Sequence, residues 1–462
     1  MDIQKNISSI SESFETPVRE ECDVLVVGAG TAGVMAALAA AKNGAKTVLL
    51  EKNTFPGGAM LGGGVIWMGF YNIFKPYNKE PVQLVRGIAE ELRQRLMREA
   101  GSTGFYEELA DDLHESMGLH ADRELLPMVL LEMLKEYGVK LYLRVTVVDT
   151  VIEGNEVRGV IMESKSGREA ILSKVTVDCS GEADVAWRAG APVNEIPERR
   201  SGGMVFGLGN VDFEKACDYF KERGVLRYLG YADKGGEQKD KITRLGFRLR
   251  DMPEFDPYRE KYHLHNEPCI VSTRENRAGM VNGVSMKFDT CDTHEISKAH
   301  TELNYCCIKM AELFKELLPG FENSFLDWTS PTVGIRFGRQ VACEYDITQQ
   351  HIEDSLVPED TIGLFGVQDA HSKGYDIKGG GWYGIPLRAL IPQKIENLLV
   401  AGKMISSDWV VYMSTRLIGA CFLQGQAAGT AAALAAKQGI HVRDVMASQV
   451  RDALKKDGAF LG

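Results

Sequence analysis

The strongest constraint on this fold lies near the start of the chain. The apolar run Cys22-Asp23-Val24-Leu25-Val26-Val27 breaks into Gly28-Ala29-Gly30-Thr31-Ala32-Gly33, and an Ala-rich stretch, Val34 to Asn43, follows. A second apolar run, Thr47-Val48-Leu49-Leu50, ends on Glu51 and Lys52. This is a strand, a glycine turn, a helix and a second strand closed by an acid about 20 residues after the turn, the pattern that holds a dinucleotide. Gly28 permits the tight turn, Gly30 lets backbone approach a pyrophosphate, and Gly33 lets the helix lie close on its strand. The N–H groups around Ala29, Thr31 and Ala32 face the phosphates with the positive end of the helix dipole, and Glu51 takes the ribose hydroxyls. Glycine makes up 48 of 462 residues, so the spacing alone would carry little; its placement between strand and helix gives it weight.

A chain of 462 residues exceeds one ordinary core and predicts two interleaved domains. Hydrophobic content of 44% and charged content of 25% are those of a soluble globular protein. A net charge of −11 argues against nucleic acid or an anionic membrane surface as partner. No apolar run reaches the length of a membrane span, and the first twenty residues lack the apolar core of a secretory signal. Nine cysteines without any CxxC spacing predict reduced thiols in a cytoplasmic setting and no cysteine-bound cluster. Cys306 and Cys307 are adjacent on an expected helix, where neighbouring side chains point apart. His263 and His265 are spaced like metal ligands on a strand, but nothing nearby completes a set; they read as surface histidines, and no metal is expected.

The first βαβ unit is followed by a second glycine block, Gly57-Gly58-Ala59-Met60 and then Gly62-Gly63-Gly64, where backbone must again come close to something. Residues 80–138 read as helices, and 140–173 hold the strands of an inserted antiparallel meander. Val175-Thr176-Val177-Asp178 reads as a further buried strand ending at Cys179-Ser180-Gly181-Glu182-Ala183-Asp184. The expected division is a nucleotide domain over 21–191, an inserted α+β cap over 192–330, and a return to the cap edge and nucleotide domain over 331–462. A helix is expected from Ser297 to Leu317, and another starts near Gly425 in Gly425-Gln426-Ala427-Ala428-Gly429-Thr430-Ala431. The fold class is therefore α/β, a Rossmann-like domain with an inserted meander and an inserted α+β cap.

Several further segments carry a resemblance. They are Pro331-Thr332-Val333-Gly334-Ile335-Arg336 with Arg339, Trp382-Tyr383-Gly384-Ile385-Pro386, Ala401-Gly402-Lys403, Ser414-Thr415-Arg416, and Gly425 to Leu434. Together with the glycine blocks they resemble the FAD-dependent oxidoreductase family within the glutathione-reductase-like FAD/NAD(P)-binding superfamily. The resemblance implies FAD as cofactor. Gly28 to Gly33 would hold its pyrophosphate and Glu51 its ribose. Gly57, Gly58, Ala59 and Met60 would run beside the ribityl chain and ring, and Val147 in the meander would meet adenine. Ser180, Gly181 and Asp184 line the middle of the cofactor, and Gly402 and Lys403 let its chain pass. The helix at Gly425, Gln426, Ala427 and Ala428 would aim its positive end at the flavin. Two departures stand out: Cys179 to Asp184 replaces a usual Ala-Thr-Gly-Asp-Gly-Asp turn, and Lys403 stands where the family has arginine.

No second strand–GxGxxG–helix follows Asp184, so a separate electron donor or acceptor is expected in place of a built-in NAD(P)H domain. The expected reaction moves a hydride between flavin N5 and a small polar metabolite, with a carboxylated one among the candidates. Arg336, Arg388 and Arg416 offer guanidinium forks for a carboxylate or an enolate-like oxygen. Arg336 and Arg339 have an alternative role, pairing with Glu344 or Asp346. Tyr383, expected on a flexible loop, is a candidate proton donor, and His371 a candidate base. Trp67 and Tyr71 would wall the substrate side. Alternatives are a flavoprotein monooxygenase and a non-catalytic flavin-binding assembly or sensor protein. Homo-oligomerisation stays open.

Overall fold

Strand β1, Val18–Val27, lies at the centre of a seven-stranded sheet, with residues Val24 to Val27 all buried. A parallel strand covered on both faces calls for a continuous apolar run, and that is what the sequence carries here. The computed structural model describes residues 10–73, 79–99, 101–110, 117–196, 198, 200–231, 241–274, 277–366 and 377–462. On one side of β1 lie β2, Thr47–Glu51, and then Lys140–Leu143, all parallel. On its other side runs a long strand, Gly167–Asp178. The first half of that strand pairs antiparallel with Glu156–Ser164, and its last residues pair in parallel with Leu398–Val400.

Two readings of this region change. Ala170 to Leu172 and Val175 to Asp178 are one strand, because β1 pairs with it through both stretches. Lys140–Leu143 belongs to the parallel sheet, so the meander consists of Thr146–Glu153, Glu156–Ser164 and the first half of Gly167–Asp178.

The second layer is a ten-stranded sheet built around Ser201–Gly209, Arg277–Lys287 and Leu264–Arg274. Helix Thr293–Leu317 packs on one face through Leu303, Cys306, Cys307, Met310 and Phe314, joined in one buried cluster with Phe206, Val281 and Phe247. Both vicinal cysteines are thus buried, and all nine cysteines are free thiols. The helical reading of 80–138 holds for Ile88–Arg98 and Leu125–Glu136 only. Between them Ser102–Ala110 and Met117–Ala121 are strands which, with Trp67–Gly69, extend the large sheet. The Gly104-Phe105-Tyr106 run, aromatic beside glycine, suits a strand, and a search for helical spacing passes over it. The cap sheet therefore draws on chain from both sides of residue 192.

The longest C-terminal helix runs Ile418–Gln438 and begins seven residues before Gly425. It lies against helix α1, Thr31–Lys42, at a distance set by glycine. A Cβ on Gly425 would stand 2.1 Å from the Ala32 carbonyl oxygen, and one on Gly429 2.0 Å from that of Ala36. No single helix is long and apolar enough to cross a membrane among the described residues.

Candidate functional site

The three glycines of the first turn have three different surroundings. Gly28 has φ of +95° and a Cβ there would meet the Cys179 carbonyl oxygen at 2.4 Å. A Cβ on Gly33 would stand 1.7 Å from the Gly28 carbonyl oxygen, so helix and strand touch only because that side chain is missing. Gly30 differs: its φ of −76° suits any residue, and the nearest atom to a Cβ there is Gly58 Cα, 3.8 Å away. The space above Gly30 is empty of protein side chains, and it lies where α1 begins. No side chain caps α1 and its first turn carries no acid, so the N–H groups of Thr31, Ala32 and Gly33 are available to an anion.

The second glycine block closes on the first. Gly57 N donates to the Ala29 carbonyl at 2.7 Å, and a Cβ on Gly58 (φ +50°) would fall 2.6 Å from Gly30 Cα. Gly402 (φ +109°) faces α1, with Ala32 Cβ 3.6 Å from its Cβ position, and Gly181 (φ +84°) faces the neighbouring Lys403, whose Cε is 3.7 Å from its own. Met60 is buried and Ala59 exposed beside them. Glu51 ties the cradle together: its carboxylate accepts from Ala29 N and from Asn53 N, both at 2.8 Å. Its backbone carbonyl accepts from Val145 N at 3.0 Å, which brings the start of the meander and Val147 alongside; Lys52 is exposed at the rim. The two glycine blocks and Glu51 thus meet around Gly30 in a backbone-lined arrangement compatible with a bound dinucleotide.

Around the turn at Ser180, Asp178 is fully buried and accepts from Ser180 N, Val185 N and Ala186 N, each at 2.9 Å. Burial nonetheless pushes its carboxyl above the ordinary range. Ser180 Oγ accepts from Asp184 N at 2.8 Å. Asp184 turns to Arg188 (3.5 Å) and Arg339 (3.7 Å). Lys403 forms an ion pair with Glu182 and donates to the Ile335 carbonyl at 2.8 Å. The lysine that replaces the family's arginine thus joins the cofactor turn to the cap edge.

Four site expectations need correction. Gly425, Gln426, Ala427 and Ala428 are buried mid-helix residues: Gly425 spaces the helix from α1, and Gln426 accepts from Ile88 N at 3.2 Å. The helix start, with its dipole, is at Ile418 after an uncapped Leu417. Gln424 was missed; its amide oxygen accepts from Gly402 N and its nitrogen donates to the Thr415 carbonyl, both at 2.8 Å. Tyr383 is no loop residue but sits fully buried in a strand, donating to Ser414 Oγ at 2.8 Å, with burial raising its phenol well above the usual value. Arg388 is half exposed and paired with Asp360 at 3.0 Å. His371 lies outside the described residues. Arg336 and Arg339 do not pair with Glu344 or Asp346 either: Glu344 is bound by Arg443, and Asp346 by Ser406.

Arg336 lies among polar groups of the large sheet. Val333 and Ile335 turn toward the buried cluster under helix Thr293–Leu317, so Arg336 points to the opposite face. The Arg336 carbonyl accepts from the Tyr412 hydroxyl, and Arg416 lies 5.9 Å from the Tyr412 ring. The guanidinium lies 3.5 Å from both His265 Nε2 and Asn282 Oδ1, and His265 Nε2 is 2.8 Å from Ser285 Oγ. Three glycines clear space beside it: a Cβ on Gly334 would be 3.3 Å from the Gly203 carbonyl oxygen and 3.9 Å from Gly63 Cα. The two histidines read as a surface pair go separate ways: His263 meets Glu302 of the helix at 2.8 Å, and His265 joins Arg336. Alternation along a strand was the available signal. Trp67 stands directly across from His120 in the sheet, and Tyr71 packs edge-on against Phe105.

The chain resembles several known proteins. A digeranylgeranylglycerophospholipid reductase of Methanococcoides burtonii is 27% identical over 232 residues, 46% of this chain and 51% of the relative. A thiamine thiazole synthase of Methanococcus maripaludis is 29% identical over 194 residues, 39% of this chain and 66% of the relative. The alignments therefore span about half to two thirds of these curated relatives. A solved geranylgeranyl bacteriochlorophyll reductase-like protein from Thermoplasma acidophilum shares the fold at a TM-score of 0.50 and 13% identity, covering 95% of this chain and 83% of that one. The family model for FAD dependent oxidoreductases matches residues 23–454. With that match over nearly its whole length, the chain belongs to the FAD dependent oxidoreductase family.

Proposed function

We propose that this FAD-dependent oxidoreductase exchanges a hydride with a small carboxylated metabolite, and that a separate molecule completes the electron cycle. FAD, when bound, supplies the hydride-accepting or hydride-donating centre at flavin N5. Its pyrophosphate would rest on the N–H groups of Thr31 and Ala32 above Gly30, its ribose on Glu51, and its middle between Gly58, Gly181 and Gly402. The observation that carries the substrate reading is the setting of Arg336. Lys403 holds the carbonyl before it and Tyr412 holds its own carbonyl. Two contacts from the C-terminal part of the chain thus hold the backbone on both sides of the Arg336 Cα. A fixed planar fork favours a carboxylate over a neutral polar group, because charge-assisted bonds are roughly twice as strong as neutral ones.

The test is anaerobic mixing of the holoprotein with paired metabolites, carboxylates and their uncharged amides, followed at the flavin absorbance. Carboxylates are expected to bleach the flavin and amides to do so far less. Replacing Arg336 with Gln should raise the half-saturating carboxylate concentration by about 10- to 100-fold, the loss of one charged hydrogen-bonding partner. Equal bleaching by amides and carboxylates would refute the assignment.

A further inference from the structure

The turn between strand Met117–Ala121 and helix Leu125–Glu136 holds an arginine that the fold fixes in place and leaves unmatched. Asp122 is buried and pins this turn. Its N donates to the Gly101 carbonyl at 2.6 Å, and its Oδ1 accepts from Glu124 N at 2.9 Å and Leu125 N at 3.2 Å. The Arg123 guanidinium then lies over the Trp328 ring, 3.9 Å from its centroid. A Cβ on Gly207 would stand 2.1 Å from Trp328 Nε1, and one on Gly64 2.9 Å from its Cη2, so the indole is wedged between the cap sheet and the second glycine block. Stacking takes the face of the guanidinium and leaves its edges. Among the described residues those edges make no hydrogen bond. Of the three nitrogens only Nη1 is sealed from solvent, and it meets no acceptor. The acid beside it, Glu124, stands 3.7 Å from Nε, beyond hydrogen-bond distance, on a side chain 69% exposed. The neighbouring Arg277 differs, since Asp327 holds it at 2.7 Å. Burial, together with the charge of Arg277, draws the Arg123 guanidinium below the ordinary arginine value, so the fold keeps this charge against its own solvation.

From these contacts we infer that Arg123 is a binding site for a small oxyanion, a carboxylate or a phosphate, that approaches its Nε–Nη2 edge. A guanidinium only donates, so the occupant must accept. That edge presents two N–H groups side by side, and a ligand that meets both carries two oxygens on one atom. A neutral hydroxyl or amide offers one. Nε and Nη2 are not sealed, and the side chain keeps 20% of its surface open, so the edge is reached with Trp328 in place. The site is not that of Arg336. Arg336 Nη2 lies 3.3 Å from the Cβ position of Gly203, whereas the Trp328 indole lies over Gly207, four residues along the same strand and about 13 Å away. Arg123 therefore takes its ligand whether or not Arg336 holds a carboxylate. The oxyanion is either a free ion or an acidic group of the substrate, since both present the same pair of oxygens.

The experiment uses FAD-loaded protein carrying isotope-labelled arginine and reads the Nε–H resonances by NMR. The Arg123 signal is the one lost in Arg123→Lys, or in Arg123→Gln if the lysine variant does not fold, as thermal unfolding and flavin content report. Sodium phosphate, acetate and succinate are the probes, with sodium chloride at matched ionic strength as the control. Phosphate or a carboxylate is expected to shift the Arg123 signal saturably and further than chloride does, while Arg277, held by Asp327, follows chloride. Glu124→Gln removes the acid that competes for the edge and should lower the half-saturating concentration by about two- to fivefold, the worth of one exposed ion pair. A carboxylate that shifts the signal and bleaches the flavin anaerobically with the same half-saturation makes the oxyanion a substrate group. A saturable shift without bleaching makes it a separate ion, and either result supports the site. An Arg123 signal that only follows chloride with all three probes would overturn the inference, as would a shift that Arg277 shares in full.

Discussion

Gly30→Ala is the substitution that separates what holds this fold from what holds its cofactor. At Gly28 and Gly33 a methyl group collides with backbone at 2.4 and 1.7 Å. Neither carbonyl oxygen can move without disturbing β1 or the strand beside it. Overpacking of this kind costs about 1–3 kcal/mol or more, and the positive φ at Gly28 adds about 1–2 kcal/mol for a non-glycine residue. At Gly30 the same methyl meets nothing closer than 3.8 Å and the φ of −76° is unstrained. The apoprotein should therefore be unchanged, or gain about 0.4–1 kcal/mol from a less flexible unfolded chain. The methyl nevertheless fills the gap through which phosphate would reach the N–H groups of α1. Losing one charge-assisted hydrogen bond costs about 1.5–3 kcal/mol, a weakening of FAD binding by about 10- to 100-fold. The assay is urea denaturation of deflavinated protein alongside FAD titration by flavin fluorescence. Gly30→Ala should keep its midpoint and lose affinity, while Gly28→Ala and Gly33→Ala lose their midpoints first. A Gly30→Ala protein that binds FAD as the parent does, or that unfolds as early as Gly33→Ala, would sink the reasoning.

Three other outcomes follow from the same structure. Gly425→Ala should destabilise the apoprotein by about 2–3 kcal/mol through the clash with Ala32, with FAD affinity of the folded fraction unchanged, as denaturation and titration together would show. Glu51→Gln keeps one acceptor oxygen of two and should cost about 1–2 kcal/mol of apoprotein stability while weakening FAD binding, measured by the same pair of assays. His120 is fully buried, with a pKa held well below the ordinary value by burial and by the charge of Arg244, so the unfolded chain binds its proton more readily than the folded one. Its contribution is present above the unfolded pKa near 6.5 and is lost as pH falls, with a slope of up to about 1.4 kcal/mol per pH unit. His120→Leu should flatten the acid limb of a stability–pH curve measured from about pH 7 to 5; an unaltered limb would remove His120 from the account.

Legibility in the sequence followed the range over which each signal acts. Gly28, Gly30, Gly33 and Glu51 were readable because their neighbours in space are mostly neighbours in sequence, and local turn chemistry dictates them. Gly57 and Gly58 were readable for the same reason. Gly425 was legible as a packing glycine only once its partner was known, since Ala32 lies in the opposite end of the chain. A small-residue run reads alike at a helix start and at a helix crossing. Arg388 and Arg336 looked equivalent in sequence; Asp360 pairs with one, and the alternation of Val333 and Ile335 turns the other to the face away from the buried cluster. His265 reads as a surface histidine in sequence because its neighbours Ser285 and Arg336 are brought to it only by the fold. Ser102–Ala110 was lost to helix because its pairing partners lie in Leu226–Tyr231 and Met117–Ala121.

The interleaving of the two sheets governs when the protein is able to become an enzyme. Leu398–Val400 adds the last parallel strand to the nucleotide sheet, and in the turn after it Gly402 packs against Ala32 and Lys403 reaches the Ile335 carbonyl. On a translating ribosome, β1, α1 and β2 wait for the whole cap to be made before these contacts exist. They are among the most distant in the chain, and closing such long loops is slow. A chain stopped inside the cap carries the glycine turn and still lacks them.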